Sequence, residues 1–107
     1  MANTYKNAKV DLTTTDATTV YTTPTGVIAI VKSILMSEDS NNADTITITI
    51  TDSSTAVFSV FKDKAVTAKQ TLELLTAPLV LNAGDILKAT AATGGRLHII
   101  ASILEVS

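Results

Sequence analysis

Residues 45–51 read Thr-Ile-Thr-Ile-Thr-Ile-Thr, and this alternation constrains the fold more than any other stretch of the chain. Successive side chains of a β-strand point to opposite faces of its sheet, so Ile46, Ile48 and Ile50 form an apolar face and the threonines a polar one. Every residue of the run is β-branched, which favours a pleated strand over a helix. The run therefore predicts a strand of an antiparallel sheet, with one face on a core and the other on water.

Short apolar or β-branched segments recur along the rest of the chain, with turn-forming residues between them. The segments predicted as strands are 9–13, 18–22, 27–37, 45–51, 55–62, 70–76, 79–81, 86–91 and 97–106. This spacing predicts an all-β fold, namely a single-domain antiparallel β-sandwich of eight or nine strands in a jelly-roll-like arrangement. A helix over 62–75 is the alternative for that segment, because it contains good helix formers.

The length and the turn residues predict how the chain is organised. A chain of 107 residues indicates one domain over 1–107, with residues 1–4 as a candidate flexible arm. We expect a hairpin connection at 52–54 and a hairpin loop at 38–44. Residues 93–95 are predicted to form a hairpin turn with positive φ at a glycine.

The charge and hydropathy patterns argue against nucleic-acid and membrane partners. Eight lysines and arginines against ten acidic residues give a formal net charge of -2, whereas nucleic-acid-binding proteins carry a basic patch. The longest apolar stretch, 27–36, is interrupted by Lys32 and Ser33 and is shorter than the roughly 20 residues that span a bilayer. The first six residues lack the apolar core of a signal peptide. We therefore expect a soluble protein made in a cytoplasm.

The sequence offers little catalytic chemistry. The chain has no cysteine and one histidine, His98, and a nucleophilic triad needs a base and an orienting group beside the nucleophile. No such motif surrounds His98, so we expect neither enzymatic activity nor a cofactor. The acidic loop 38–44 offers oxygen ligands of the kind that Ca²⁺ takes, but it lacks the EF-hand pattern and its central glycine. This loop is either a solvated turn or an ion site, and the sequence leaves both open.

Two long segments, 27–36 and 97–106, are apolar on both faces, unlike 45–51. A two-layer sandwich covers only one face of each sheet, so an apolar outer face indicates a covering loop or another subunit. We expect these two strands to be neighbours and to form an oligomer interface. Its candidate residues are Ile28, Ile30, Ile34, Ile100, Leu104 and Val106.

The order of strand and turn motifs along nearly the whole chain resembles a known family. Among these motifs are Ala2-Asn3-Thr4-Tyr5-Lys6-Asn7-Ala8, Thr19-Val20-Tyr21-Thr22-Thr23-Pro24 and Pro78-Leu79-Val80-Leu81-Asn82-Ala83-Gly84-Asp85. In this order the chain resembles the small β-sandwich virion proteins of tailed, mainly marine, bacteriophages. The resemblance implies a structural role on the capsid or the tail, commonly as trimers or larger rings. It brings no catalytic residue.

Two functions follow as expectations. The first is a capsid decoration, or cement, subunit of the virion, made in the host cytoplasm, that forms a homotrimer and binds other virion proteins such as the major capsid protein. The alternative is a tail- or fibre-associated module, either structural or binding a receptor glycan. A glycan-binding groove would need exposed aromatic side chains, and the chain supplies Tyr5, Tyr21, Phe58 and Phe61.

Overall fold

The computed structural model describes residues 2–107 and consists of β-strands joined by turns. The strands are β1 (Asn3–Leu12), β2 (Thr18–Thr22), β3 (Ile28–Glu38), β4 (Asp44–Thr51), β5 (Val57–Val66), β6 (Thr71–Glu73), β7 (Leu79–Leu81), β8 (Ile86–Ala91) and β9 (Leu97–Val106). Residues 2–107 contain no helix, so the helix considered for 62–75 is wrong and the all-β prediction is confirmed. This part of the chain accordingly has no helix that could cross a membrane.

The strands form two antiparallel sheets that enclose one core. In the first sheet the order is β1-β9-β3, and both β6 and β7 pair with β3. In the second sheet the order is β2-β8-β4-β5. Because β6 and β7 lie one after the other along the same edge of β3, they act as one interrupted strand. When β6 and β7 are counted as one strand, the order in which the chain visits the two sheets is that of a jelly-roll-like sandwich.

The Thr-Ile run forms most of β4, which lies inside the second sheet between β8 and β5. Ile46 and Ile48 are fully buried, and Ile50 is half-buried. The threonines lie on the outer face, where the Thr47 hydroxyl accepts a hydrogen bond from the backbone N–H of Asp63 at 3.0 Å. The two-faced strand predicted from the alternation is confirmed.

The core between the sheets is built from aliphatic side chains of both sheets. Its members with at most 1% exposure are Leu12, Ala29, Val31, Ile34, Met36, Ile46, Ile48, Leu81, Leu87, Ala89, Ala91, Leu97, Ile99, Ala101 and Ile103. The two long strands that are apolar on both faces, β3 and β9, each place one face in this core. They pair with each other along their whole length, so the prediction that they are neighbours is confirmed.

Turn residues identify where the chain turns, but not which strand it meets next. Residues 52–56 close the β4–β5 hairpin, as predicted. The hairpins predicted at 38–44 and 93–95 are wrong, because both segments carry the chain from one sheet to the other. The positive φ at a glycine is confirmed, since Gly95 has a φ of 81°. A Cβ on Gly94 would lie 2.4 Å from a backbone carbonyl oxygen, so only glycine fits that crossing.

The candidate flexible arm of residues 1–4 falls largely on a strand. Asn3 and Thr4 belong to β1 and pair with β9, and Ala2 exchanges two backbone hydrogen bonds of 2.9 Å with Ser107. Met1 lies outside the described residues. Residues 3 and 4 are therefore strand rather than arm, because a regular ladder to β9 satisfies their backbone.

Candidate functional site

The outer face of the first sheet carries large aliphatic side chains in rows that run across the strands. In one row Ile30 of β3 lies between Leu104 of β9 and Val80 of β7, and Tyr5 of β1 follows beyond Leu104. Side chains at directly opposed positions like these touch one another. We name this surface the outer apolar face, and its residues are Tyr5, Ile28, Ile30, Leu35, Val80, Ile100, Leu104 and Val106.

Much of the outer apolar face is open to water in the isolated chain. Ile28 is 50% exposed, Val80 56%, Ile100 41% and Leu35 38%. The other aliphatic members are half-buried against their neighbours. Grouped exposed aliphatic side chains on one face of a sheet are typical of contact surfaces. Its chemistry is suited to binding other apolar side chains.

Five of the six residues predicted for the oligomer interface lie on this face, and Ile34 does not. A bulge in β3 between Val31 and Ser33 inserts Lys32 without a partner on β9. The extra residue reverses which side chains point inward, so Ile34 is fully buried in the core and Leu35 takes the outer position. The assignment of Ile34 to the interface is therefore wrong, because simple alternation fails across a bulge.

A polar band divides the outer apolar face into two areas. The Lys32 amino group lies 6.0 Å from the centre of the Tyr5 ring. Around it lies a shallow depression of about 340 Å³, lined by Tyr5, Lys6, Asn7, Lys32, Ser102 and Ile103. One apolar area surrounds Ile30 and the other pairs Leu35 with Ile100. A partner that covers the whole face must therefore satisfy the Lys32 ammonium between two apolar contacts.

His98 lies at one end of the same face and contacts two carboxylates. Its Nε2 is 3.3 Å from Asp11 of β1, and its Nδ1 is 3.4 Å from Asp39 in the loop after β3. Both ring nitrogens can donate to these carboxylates only when the imidazole is protonated. The contacts link β1, β9 and the loop after β3. This arrangement is structural in character.

The acidic loop 38–44 is organised around the Glu38 carboxylate, a role that sequence reasoning missed. Glu38 is 2% exposed and accepts hydrogen bonds from the backbone N–H groups of Ser40, Asn42 and Lys69 at 2.9–3.2 Å, and from the Ser40 hydroxyl. Burial alone would raise the pKa of Glu38, but these donors outweigh it and lower the pKa to about 2. The carboxylate thus supplies an acceptor for backbone N–H groups of this loop and of Lys69.

The other carboxylates near this loop have protein partners as well. Asp44 accepts hydrogen bonds from the backbone N–H groups of Thr45 and Thr93 at 2.8–3.2 Å. Among residues 2–107 no group of three or more histidine, cysteine or acidic side chains is placed to hold a metal ion. The loop geometry is therefore that of a hydrogen-bonded crossing between the sheets.

The aromatic side chains do not converge on one groove. The Tyr21 hydroxyl donates a hydrogen bond to Glu105, and Lys6 lies 3.0 Å from the same carboxylate. The hydrogen bond from Tyr21 is the main cause of the lowered pKa of Glu105. Burial is the main cause of the raised pKa of Tyr21, and the Glu105 carboxylate raises it further. Tyr5 and Phe58 are exposed, but they lie on different sheets. Tyr5 and Phe58 therefore share no sugar-stacking surface.

Comparison with known proteins gives a faint likeness in fold. No family model matches the chain, and no curated protein matches it. Two crystal structures of a pentameric capsid protein isolated from metagenomic phage sequences align with 92% of the chain at 23% identity and a TM-score of 0.46. The chain spans 60% and 59% of the length of these proteins. A likeness of this degree leaves the function to be argued from the residues of the chain itself.

The bulge in β3 predicts opposite effects at two adjacent positions. Ile34→Lys places a charge in the core and should lower the free energy of unfolding by about 3 kcal/mol or more. Leu35→Lys places the same charge on the outer face and should change it by less than about 1 kcal/mol. Chemical denaturation of both variants measures the difference. Equal losses would show that Lys32 does not reverse the facing of β3.

The hydrogen bonds to Glu38 predict a dependence of stability on acidic pH. The folded state lowers the pKa from 4.5 to about 2, so Glu38 stabilises the fold above pH 4.5 and loses this effect as the pH falls towards 2. Glu38→Gln should therefore be less stable at pH 7 and should lose stability less steeply over this window. Denaturation midpoints from pH 7 to pH 2 measure both effects. Asp16→Asn, at an exposed loop carboxylate, is the control, and an unchanged pH profile in Glu38→Gln would contradict the assignment.

Proposed function

We propose that the protein is a non-enzymatic structural subunit of a phage particle, which acts as a capsid decoration or cement subunit. In this proposal it self-associates as a homotrimer through the outer apolar face and binds the assembled shell, including the major capsid protein. Its place is the virion, after synthesis in the host cytoplasm. Support comes from the resemblance of its strand and turn motifs to phage virion proteins and from the surface that the fold leaves uncovered.

The outer apolar face is the observation that carries this proposal. Full burial of one large aliphatic side chain contributes about 1.5–3 kcal/mol, and Ile28, Val80 and Ile100 each still expose two fifths or more of their surface. Association costs at least about 4 kcal/mol of lost freedom, so several of these side chains must be covered together. Their alignment on neighbouring strands allows one partner surface to cover them at once.

A decoration role follows from the way in which such a subunit would stabilise the particle. A protein that binds only the assembled shell stabilises that shell by mass action, and closed symmetric oligomers match symmetric positions on a lattice. Self-association through the same face also suits a tail- or fibre-associated subunit. That role remains the second candidate, and in its glycan-binding form Tyr5 and Phe58 would not share a groove.

Self-association should depend on the outer apolar face. Val80→Lys places a charge on this face and should weaken association about tenfold or more. Val57→Lys is the matched control, because Val57 is also a valine, is 61% exposed and lies on the second sheet. Light scattering over micromolar concentrations measures the mass of each variant and separates a trimer from a pentamer. A wild-type protein that is monomeric throughout this range would contradict the proposal.

The copy number in purified particles tests the role on the virion. Hundreds of copies per particle, measured by quantitative mass spectrometry, are expected for a shell decoration protein. A handful of copies would instead support the tail- or fibre-associated alternative. Absence from purified particles would overturn both. Electron microscopy of the same particles would show where the copies lie.

A further inference from the structure

The two sheets end in edge strands, and most of these edges are protected against pairing with another chain. β2 has five residues and a register shift between Thr19 and Tyr21. β5 has two register shifts against β4, and its middle reads Lys62-Asp63-Lys64, with Asp63 at a φ of 50°. β6 and β7 have three residues each. Bulges, charges and short length are the devices by which proteins prevent edge-to-edge pairing.

The edge formed by β1 is neither short nor bulged, and its charged residues are Lys6, Lys9 and Asp11. It has ten residues, and over residues 3–12 its pairing with β9 shows no register shift. Proline and glycine do not occur in this strand. Residues 2–7 are exposed on both faces of the sheet. β1 is therefore a long, regular edge strand that little else in the described chain covers.

The backbone groups on the free side of β1 can be identified from its ladder. Ala2 and Ser107 exchange both of their backbone hydrogen bonds, and such pairs alternate with non-bonded pairs along an antiparallel ladder. The even-numbered residues of β1 therefore bond to β9. The N–H and C=O groups of Asn3, Tyr5, Asn7 and Lys9 point away from the sheet, and among the described strands β1 pairs with β9 alone.

We propose that this free edge pairs with β1 of a second copy of the chain, antiparallel, about a two-fold axis at Asn7. In this register Asn7 faces Asn7 of the second copy, Tyr5 faces Lys9, and Asn3 faces Asp11. The facing pairs join a cation to an aromatic ring and a carboxylate to an amide, and no like charges are opposed. A parallel, in-register pairing would oppose Lys9 to Lys9, which is destabilising.

The charge on β1 that points towards the core is already compensated. Lys6 lies on the inner side of the strand, and inward-pointing charges protect edges in other proteins. Here its amino group is 3.0 Å from Glu105, so the pair is neutral as a unit. In the proposed register Lys6 faces Ala8 of the second copy, and its charge meets no other cation. The self-complementary arrangement of charges is what identifies the partner as a second copy.

This contact shares only Tyr5 with the association proposed through the outer apolar face. Pairing at β1 extends the first sheet of one copy into that of the next, through backbone hydrogen bonds. The outer apolar faces of the two copies then lie side by side and remain free to contact further copies. The β1 contact therefore does not depend on the trimer or on a place in the virion.

Cysteine substitution at the two-fold axis tests the register. The chain has no cysteine of its own. Facing Cα atoms in an antiparallel pair are about 4.5–5.5 Å apart, within the range that a disulfide spans. Asn7→Cys should give a disulfide-linked dimer under mild oxidation, whereas Asn3→Cys is the control, because eight residue steps place its two copies roughly 27 Å apart. Mixing Asn3→Cys with Asp11→Cys should restore the cross-link.

The expected result is at least a tenfold faster cross-link for Asn7→Cys than for Asn3→Cys, on non-reducing gels. Equal rates would overturn the proposal. The same difference in cross-linking rate should persist when both cysteine variants also carry Val80→Lys. Failure of the outer-face contact therefore cannot be mistaken for failure of the β1 contact. Cross-linking of Asn7→Cys to a different virion protein, without a dimer, would overturn self-pairing.

Proline substitution at adjacent positions tests the direction of the backbone groups. Asn7→Pro removes an N–H from the free edge, so it should leave the melting temperature nearly unchanged and slow the cross-link between Asn3→Cys and Asp11→Cys at least tenfold. Ala8→Pro removes an N–H that bonds to β9, so it should lower the melting temperature. An Asn7→Pro variant that unfolds, or one that cross-links as fast as before, would overturn the proposal.

Discussion

The pairing of β3 with β9 is the contact on which the rest of the structure depends. It runs from Ile28 opposite Val106 to Glu38 opposite Leu97, which is the whole length of both strands. One face of the pair supplies the centre of the core, and the other supplies most of the outer apolar face. The proposed contact surface is therefore built on the central strand pair of the first sheet. A surface supported in this way keeps its shape without a partner, so binding costs little ordering.

Buried carboxylates fix the ends of this central pair. Glu38 ends β3 and holds the crossing to the second sheet, while Glu105 near the end of β9 accepts a hydrogen bond from Tyr21 of the opposite sheet. A buried charge without partners would be destabilising, but each of these carboxylates meets several donors. Asp44 does the same at the start of β4. The Tyr21–Glu105 hydrogen bond joins the two sheets directly, whereas the Glu38 and Asp44 contacts hold loops that cross between them.

Sequence patterns predicted the facing of side chains correctly in strands where inward and outward positions simply alternate. The run 45–51 and the strand 97–106 have the predicted facing because the extra residues at the neighbouring bulges belong to β5 and β3. In β3 the pattern misplaced Ile34, and the only local signal was the polar pair Lys32-Ser33 within an apolar run. The role of Glu38 could not be predicted, because one of its donors, Lys69, is 31 residues away along the chain. Sheet crossings were missed for the same reason, since turn residues act locally.

The two sheets of the sandwich differ in the side chains and edges that they present outward, so the two sides of the molecule are not equivalent. The second sheet presents the half-buried threonines of β4, one of which bonds to the Asp63 backbone, and the exposed Val57 and Phe58 of its edge strand β5. Its edges are short or bulged. The first sheet presents exposed aliphatic side chains and the regular edge of β1. Face and edge contacts need different partner surfaces, yet the outer apolar face and the β1 edge lie on the same sheet. Assembly through this sheet would leave the threonine face of β4 towards solvent, where its polar side chains need no partner protein.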